Sequence, residues 1–129
     1  QGIKTYTTML TDELSKKNDK KRAELLIEKD TVFSIGQYSF QTYYPGQGHA
    51  PDNIVIWFEK EKILYGGCLI KSADDTDLGN LGDANVKTYA TTVNNVQQKC
   101  KNLKFVIPGH GSWRSIKSLK HTYTMAQQL

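Results

Sequence analysis

Apolar side chains at Val86, Tyr89, Ala90, Val93, Val96 and Cys100, with Gln97 on the same stripe, follow the three-and-four spacing of one buried helical face. Ile116, Leu119, Tyr123 and Ala126 repeat that spacing and predict a shorter closing helix. Elsewhere the period falls to two. In "TVFSIGQYSFQTYYP", Gly36-Gln37 separates two runs rich in β-branched and aromatic residues, with Tyr38, Phe40, Thr42 and Tyr44 alternating, which predicts a hairpin. A second hairpin follows from Ile54 to Phe58 and Ile63 to Tyr65 on either side of the charged turn Glu59-Lys60-Glu61-Lys62. Its antiparallel register sets Phe58 opposite Ile63 and carries Asn53 to about the level of Cys68. Near the N-terminus, residues 3–8 read as a strand, after which Thr11 can cap a helix with Asp12 and Glu13 in its first turn and Asn18 as its stop.

Strands and helices alternate through the second half, so the predicted class is mixed α/β, a sheet covered by helices. "NIVIWF" is apolar on both alternating sets of positions, which calls for cover on both faces of its strand. At 129 residues the chain is one domain with a modest core. The net charge of +4 comes largely from Lys16, Lys17, Lys20, Lys21 and Arg22 and from scattered lysines. No aromatic residues interleave with that run, so it reads as a solvated helix end or loop, and no nucleic-acid partner is expected. No apolar run approaches the roughly 20 residues of a membrane helix, and the N-terminus lacks a signal-peptide pattern. The chain opens at Gln1 and runs straight into strand-like "IKTYTT", which predicts a start inside a longer precursor. Cys68 follows Gly-Gly at a strand end whereas Cys100 lies in a helical pattern, so no disulfide between them is expected.

His49, Cys68 and His110 carry the candidate chemistry. His49 precedes one strand of the second hairpin and Cys68 follows the other, so both leave the sheet at the same end. His110 follows the short strand "FVIP", between Gly109 and Gly111. Imidazole nitrogen and thiolate sulfur are the donors zinc prefers. Each residue also has a bland reading: a glycine-flanked surface histidine, or a cysteine acting as a small core hydrophobe. Spacings of 19 and 42 residues match no short zinc motif, so the pattern leaves both open. "DLGNLGDAN" lacks phosphate-loop spacing, and no Gly-x-Ser-x-Gly elbow occurs. His121 falls off the apolar stripe of the last helix and reads as structural or solvated.

At "YYPGQGHAPDNIVIW", "LYGGCLIKSADDTDLGNLGDANV" and "FVIPGHG" the chain resembles the zinc β-lactamases, specifically the dizinc subclass whose second metal is held by Asp, Cys and His. The likeness runs from about Ile3 to Leu129 and identifies residues 1–129 as the C-terminal half of such an enzyme, one half of a four-layer αββα metallo-β-lactamase sandwich. It implies that His49 is the third histidine of a three-His zinc site. Cys68 and His110 become two of three protein ligands to a second zinc. Lys71 pairs with the substrate carboxylate, and Asn80 lies near the lactam carbonyl as a polarising donor. Without that frame Lys71 reads as a solvated lysine and Asn80 as a turn residue.

The resemblance further implies hydrolysis of a β-lactam antibiotic's strained amide by zinc-activated water, with two zinc ions in the complete enzyme, and a periplasmic location. His-x-His-x-Asp, the family's first metal motif, is absent, since the histidines are His49, His110 and His121. The missing N-terminal half is therefore the expected partner, supplying the remaining ligands and the second sheet. Two alternatives stand beside this: a non-catalytic half-domain binding one zinc, or another hydrolase of the superfamily, against which Cys68 with Lys71 argues.

Overall fold

The computed structural model describes residues 2–129, in two compact units, one ending at Thr31 and the other spanning Val32–Leu129. In the first, strand β1 (Tyr6–Thr8) leads into helix α1 (Met9–Lys17), and strand β2 (Leu25–Ile27) returns parallel to β1, with Tyr6 opposite Leu25. The helix starts earlier than expected. Thr8, not Thr11, is the N-cap: its Oγ1 accepts from Thr11 N at 3.1 Å and also bonds the Thr11 hydroxyl at 2.8 Å. Asn18 closes the helix as expected, and Lys16 and Lys17 sit in its last turn, where they favour the negative end of the helix dipole. The basic run continues through exposed Lys20, Lys21 and Arg22, which agrees with its reading as a solvated segment.

The larger unit holds a five-stranded sheet in chain order: β3 (Val32–Ile35), β4 (Tyr38–Tyr43), β5 (Val55–Phe58), β6 (Ile63–Gly67) and β7 (Phe105–Pro108). The first four strands pair antiparallel; β7 joins β6 in parallel after helix α2 (Val86–Lys99), and helix α3 (Ser118–Ala126) follows. Both expected hairpins form, with Ile35 opposite Tyr38 across Gly36-Gln37 and Phe58 opposite Ile63. Gly36 takes φ +58°, a conformation its turn requires and other residues resist.

One sheet face forms the core. Val55, Trp57, Leu64 and Val106 are buried with Tyr89, Val93 and Val96 of α2 and Leu119 and Ala126 of α3. Cys100 joins them as a free thiol, and burial pushes its pKa up to about 12, so it is neutral and inert, as expected of a core residue. Two stripe residues depart from expectation: Val86, in the first turn of α2, is 41% exposed, and Ile116 lies before α3 and is 55% exposed. Each falls at or beyond a helix end.

The opposite face is apolar and open. Phe33 stacks on Phe40 at 5.3 Å, and Phe40 meets Phe58 at 5.5 Å. Ile35, Tyr38, Tyr65 and Phe105 on these strands are all exposed. Among the described residues no helix is long and apolar enough to cross a membrane.

Candidate metal centre

Cys68 and His110 come together because two strand ends are fused at backbone level. Gly109 N donates to Gly67 O at 2.8 Å. A Cβ on Gly109 would lie 2.7 Å from Cys68 N and from the Gly67 carbonyl carbon, so only glycine lets the two loops touch. The result is Cys68 Sγ 3.6 Å from His110 Nε2, both side chains exposed. Zinc bonds of about 2.3 Å to sulfur and about 2.05 Å to nitrogen, at a tetrahedral angle, also place the two donors about 3.6 Å apart.

His49 stands in a loop fastened mainly to α2, whereas its sequence setting pointed to the strand behind it. Asn95 Nδ2 holds Pro45 O at 2.8 Å, Thr88 Oγ1 and Thr92 Oγ1 both donate to Gln47 O, and Asn85 N donates to Gly48 O at 2.8 Å. Asn53 closes the loop from the strand side, donating to Gly46 O at 2.8 Å and accepting from Ala50 N at 3.1 Å. The imidazole stands edge-on to buried Tyr89, 6.3 Å between centroids. Its Nδ1 is buried and has no hydrogen-bond partner among the described residues. Burial first, then the Lys71 ammonium, hold the His49 pKa below its ordinary value; Asp83 opposes this and His110 adds to it. A neutral ring with an unanswered nitrogen is the form in which histidine binds a metal.

Lys71 is only 9% exposed, with its ammonium beside the Asn80 loop: a Cβ on Gly79 would lie 3.8 Å from Lys71 Nζ. Burial lowers its pKa, and Cys68, Asp75 and Asp77 push the other way. Among the described residues no carboxylate pairs with it within salt-bridge distance. Asn80 is exposed, and its Oδ1 accepts from Gly82 N at 2.8 Å. His121 is structural, as expected, its Nε2 donating to Asp75 O at 2.7 Å.

Three donors do not close one site. Among the described residues no three His, Cys, Asp or Glu side chains converge as a metal cluster: Cys68 and His110 form a pair, and His49 stands apart from it.

The chain is 42% identical over 127 residues to the metallo-β-lactamase type 2 of Elizabethkingia meningoseptica, covering 98% of this chain and 51% of that protein. Its fold matches a metallo-β-lactamase from Pontibacter korlensis with TM-score 0.95 and 36% identity, over all of this chain and 60% of that one. It also matches the DIM-1 metallo-β-lactamase exposed to ceftazidime, with TM-score 0.92 and 36% identity, over 99% and 58% of the two chains. The chain belongs to the metallo-β-lactamase family. It spans about half the length of the curated relatives it matches. No family model matches it. Sequence reasoning missed the residues of α3 that hold the Lys71 loop, because a serine or threonine on a helix carries no sign of whether its hydroxyl meets water or a loop amide.

Proposed function

We propose that this chain is the C-terminal half, residues 1–129, of a zinc-dependent β-lactam hydrolase of the dizinc subclass. The observation that carries the reading is the Cys68–His110 spacing of 3.6 Å, a sulfur–nitrogen pair set as ligands of one tetrahedral zinc are set. His49, with its orphaned buried nitrogen, supplies the third histidine of the other zinc site. The remaining ligands belong to the N-terminal half, the second partner beside the antibiotic. Two zinc ions, when bound, supply Lewis acidity and a water of lowered pKa.

The chain's own residues then bind and orient. Lys71 holds the substrate carboxylate as a fixed point charge. Asn80, its oxygen occupied by Gly82 N, offers its amide N–H groups to the lactam carbonyl, a contact that counts where charge develops in the transition state. The solved relative exposed to ceftazidime supports a β-lactam as the substrate class, and the family's exported members support a periplasmic site of action.

Losing even a residue that only hydrogen-bonds a metal ligand costs about 10–100-fold in affinity or activity. In the complete enzyme, Cys68→Ser is therefore expected to lower bound zinc from two ions to one and turnover by more than about 100-fold. Metal analysis beside chromogenic cephalosporin hydrolysis checks this, and full turnover with two ions still bound overturns the assignment. A second reading fits the polypeptide by itself: a non-catalytic half-domain, favoured by the lack of any three-donor cluster among the described residues.

A further inference from the structure

Three side chains of α3 grip alternate residues of the loop that carries Lys71. Thr122 Oγ1 accepts from Lys71 N at 2.9 Å and donates to Ser118 O at 2.8 Å, with Lys71 O at 3.3 Å as a second acceptor. Ser118 Oγ accepts from Ala73 N at 3.1 Å while donating to Ser115 O at 3.0 Å. His121 Nε2 donates to Asp75 O at 2.7 Å. Residues 71, 73 and 75 are thus held by residues 122, 118 and 121 of one helix.

The two hydroxyls are fully buried and lie one helical turn apart, which places both on the same face. Between Cys68 and Asn85 the chain has turns and no regular ladder, so these side chains do for its backbone what a neighbouring strand does elsewhere. Lys71 is nearly buried, and its long stem converts a small shift of its Cα into a displaced ammonium.

We propose that Thr122, supported by Ser118, is a positioning residue for Lys71, so that α3 sets where the substrate's anionic group is held. This rests on the role given to Lys71 above and extends it to residues that touch neither substrate nor metal. Thr122→Val keeps the side chain's shape and removes its hydroxyl; Thr122→Ser keeps the hydroxyl.

The test has two arms. In the complete enzyme, Thr122→Val is expected to raise KM for a β-lactam about 10-fold, with kcat within about twofold and zinc content unchanged, and Thr122→Ser to restore KM. In a Lys71→Ala background the same change should leave KM where Lys71→Ala put it. A KM that does not move, or an effect that persists without Lys71, overturns the proposal.

The second arm needs no turnover. Amide hydrogen exchange on the same variants should show Lys71 N–H exchanging at least about 10-fold faster in Thr122→Val, with α2 amides unchanged. Ser118→Ala should do the same at Ala73 alone, and it serves if Thr122→Val does not fold. Unchanged exchange at both amides overturns the clamp, whatever the enzyme hydrolyses. Altered exchange in an enzyme without β-lactam turnover overturns the function and leaves the clamp standing.

Discussion

Gly109 shows how one missing side chain lets two strand ends meet and brings Cys68 and His110 together, the pair proposed above as zinc ligands. The atoms a Cβ would meet are backbone, Cys68 N and the Gly67 carbonyl carbon at 2.7 Å and Cys68 Cα at 2.9 Å, so no rotamer change makes room. Gly109→Ala must push the two loops apart, and overpacking of this kind costs typically about 1–3 kcal/mol. It should lower the urea midpoint accordingly and also weaken zinc at the Cys68–His110 pair. Calorimetric titration with zinc, beside Gly36→Ala, which strains the β3–β4 turn through its φ of +58° without touching the pair, separates lost stability from a lost site. Retained zinc affinity in Gly109→Ala would show that the close approach is not what sets the pair. The glycines around Cys68 and His110 were legible in the sequence as markers of strand ends. What they pack against was not, because a backbone partner leaves no mark on residue type.

Within the N-terminal unit, α1 is tied down by one ion pair. Arg22 Nε and a terminal guanidinium nitrogen reach the two Asp12 oxygens at 2.7 and 2.6 Å, a bidentate arrangement. The Arg22 hydrogen bonds hold the Asp12 carboxyl below its ordinary value of 3.8, partly offset by burial, with the Arg22 and Lys16 charges helping. Because the folded pKa is the lower one, the contribution is fully present above about pH 4 and is lost as pH falls through the folded value. Amide exchange across α1 and β2 should accelerate below about pH 4, and Asp12→Asn should show the faster rate already at neutral pH. An unchanged profile in Asp12→Asn would mean the pair contributes nothing. Elements of this size strain sequence reading for two reasons. Thr8 and Thr11 are both acceptable caps, and only the hydroxyl-to-amide bond between them decides. Strand β2 is three residues bordered by charge, too short to show a period. The second hairpin's register, by contrast, was readable, since its charged turn fixes Phe58 against Ile63, whereas its strands run Val55–Phe58 and Ile63–Gly67 and not from Ile54 and to Tyr65. In α3 the apolar stripe was visible, whereas Ser118 and Thr122 were not, their partners being loop amides.

At the scale of the whole molecule, the proposed reading gives cover and chemistry one source. Ile56 and Phe58 of β5 point away from the buried Val55 and Trp57, and with Phe33, Phe40, Tyr65 and Phe105 they make a sheet face too apolar to stand in water. On the reading proposed above, the chain's donors stop one ligand short at Cys68–His110 and two short at His49, and the chain spans about half the length of its relatives. An N-terminal half that covers the face would carry the missing ligands with it. By itself, the chain is therefore expected to bind a hydrophobic dye, to self-associate, and to leave a chromogenic cephalosporin intact with zinc added. Co-expressed with the N-terminal half of a relative, it should lose dye binding and gain hydrolysis that a chelator abolishes. Phe40→Asp, placed in the middle of the aromatic cluster and away from every proposed ligand, should block both gains together. Hydrolysis by the lone chain would place the missing ligands elsewhere. Dye binding lost without any zinc-dependent turnover would separate covering the face from completing the site, and the chain would stand as a structural half without a catalytic role.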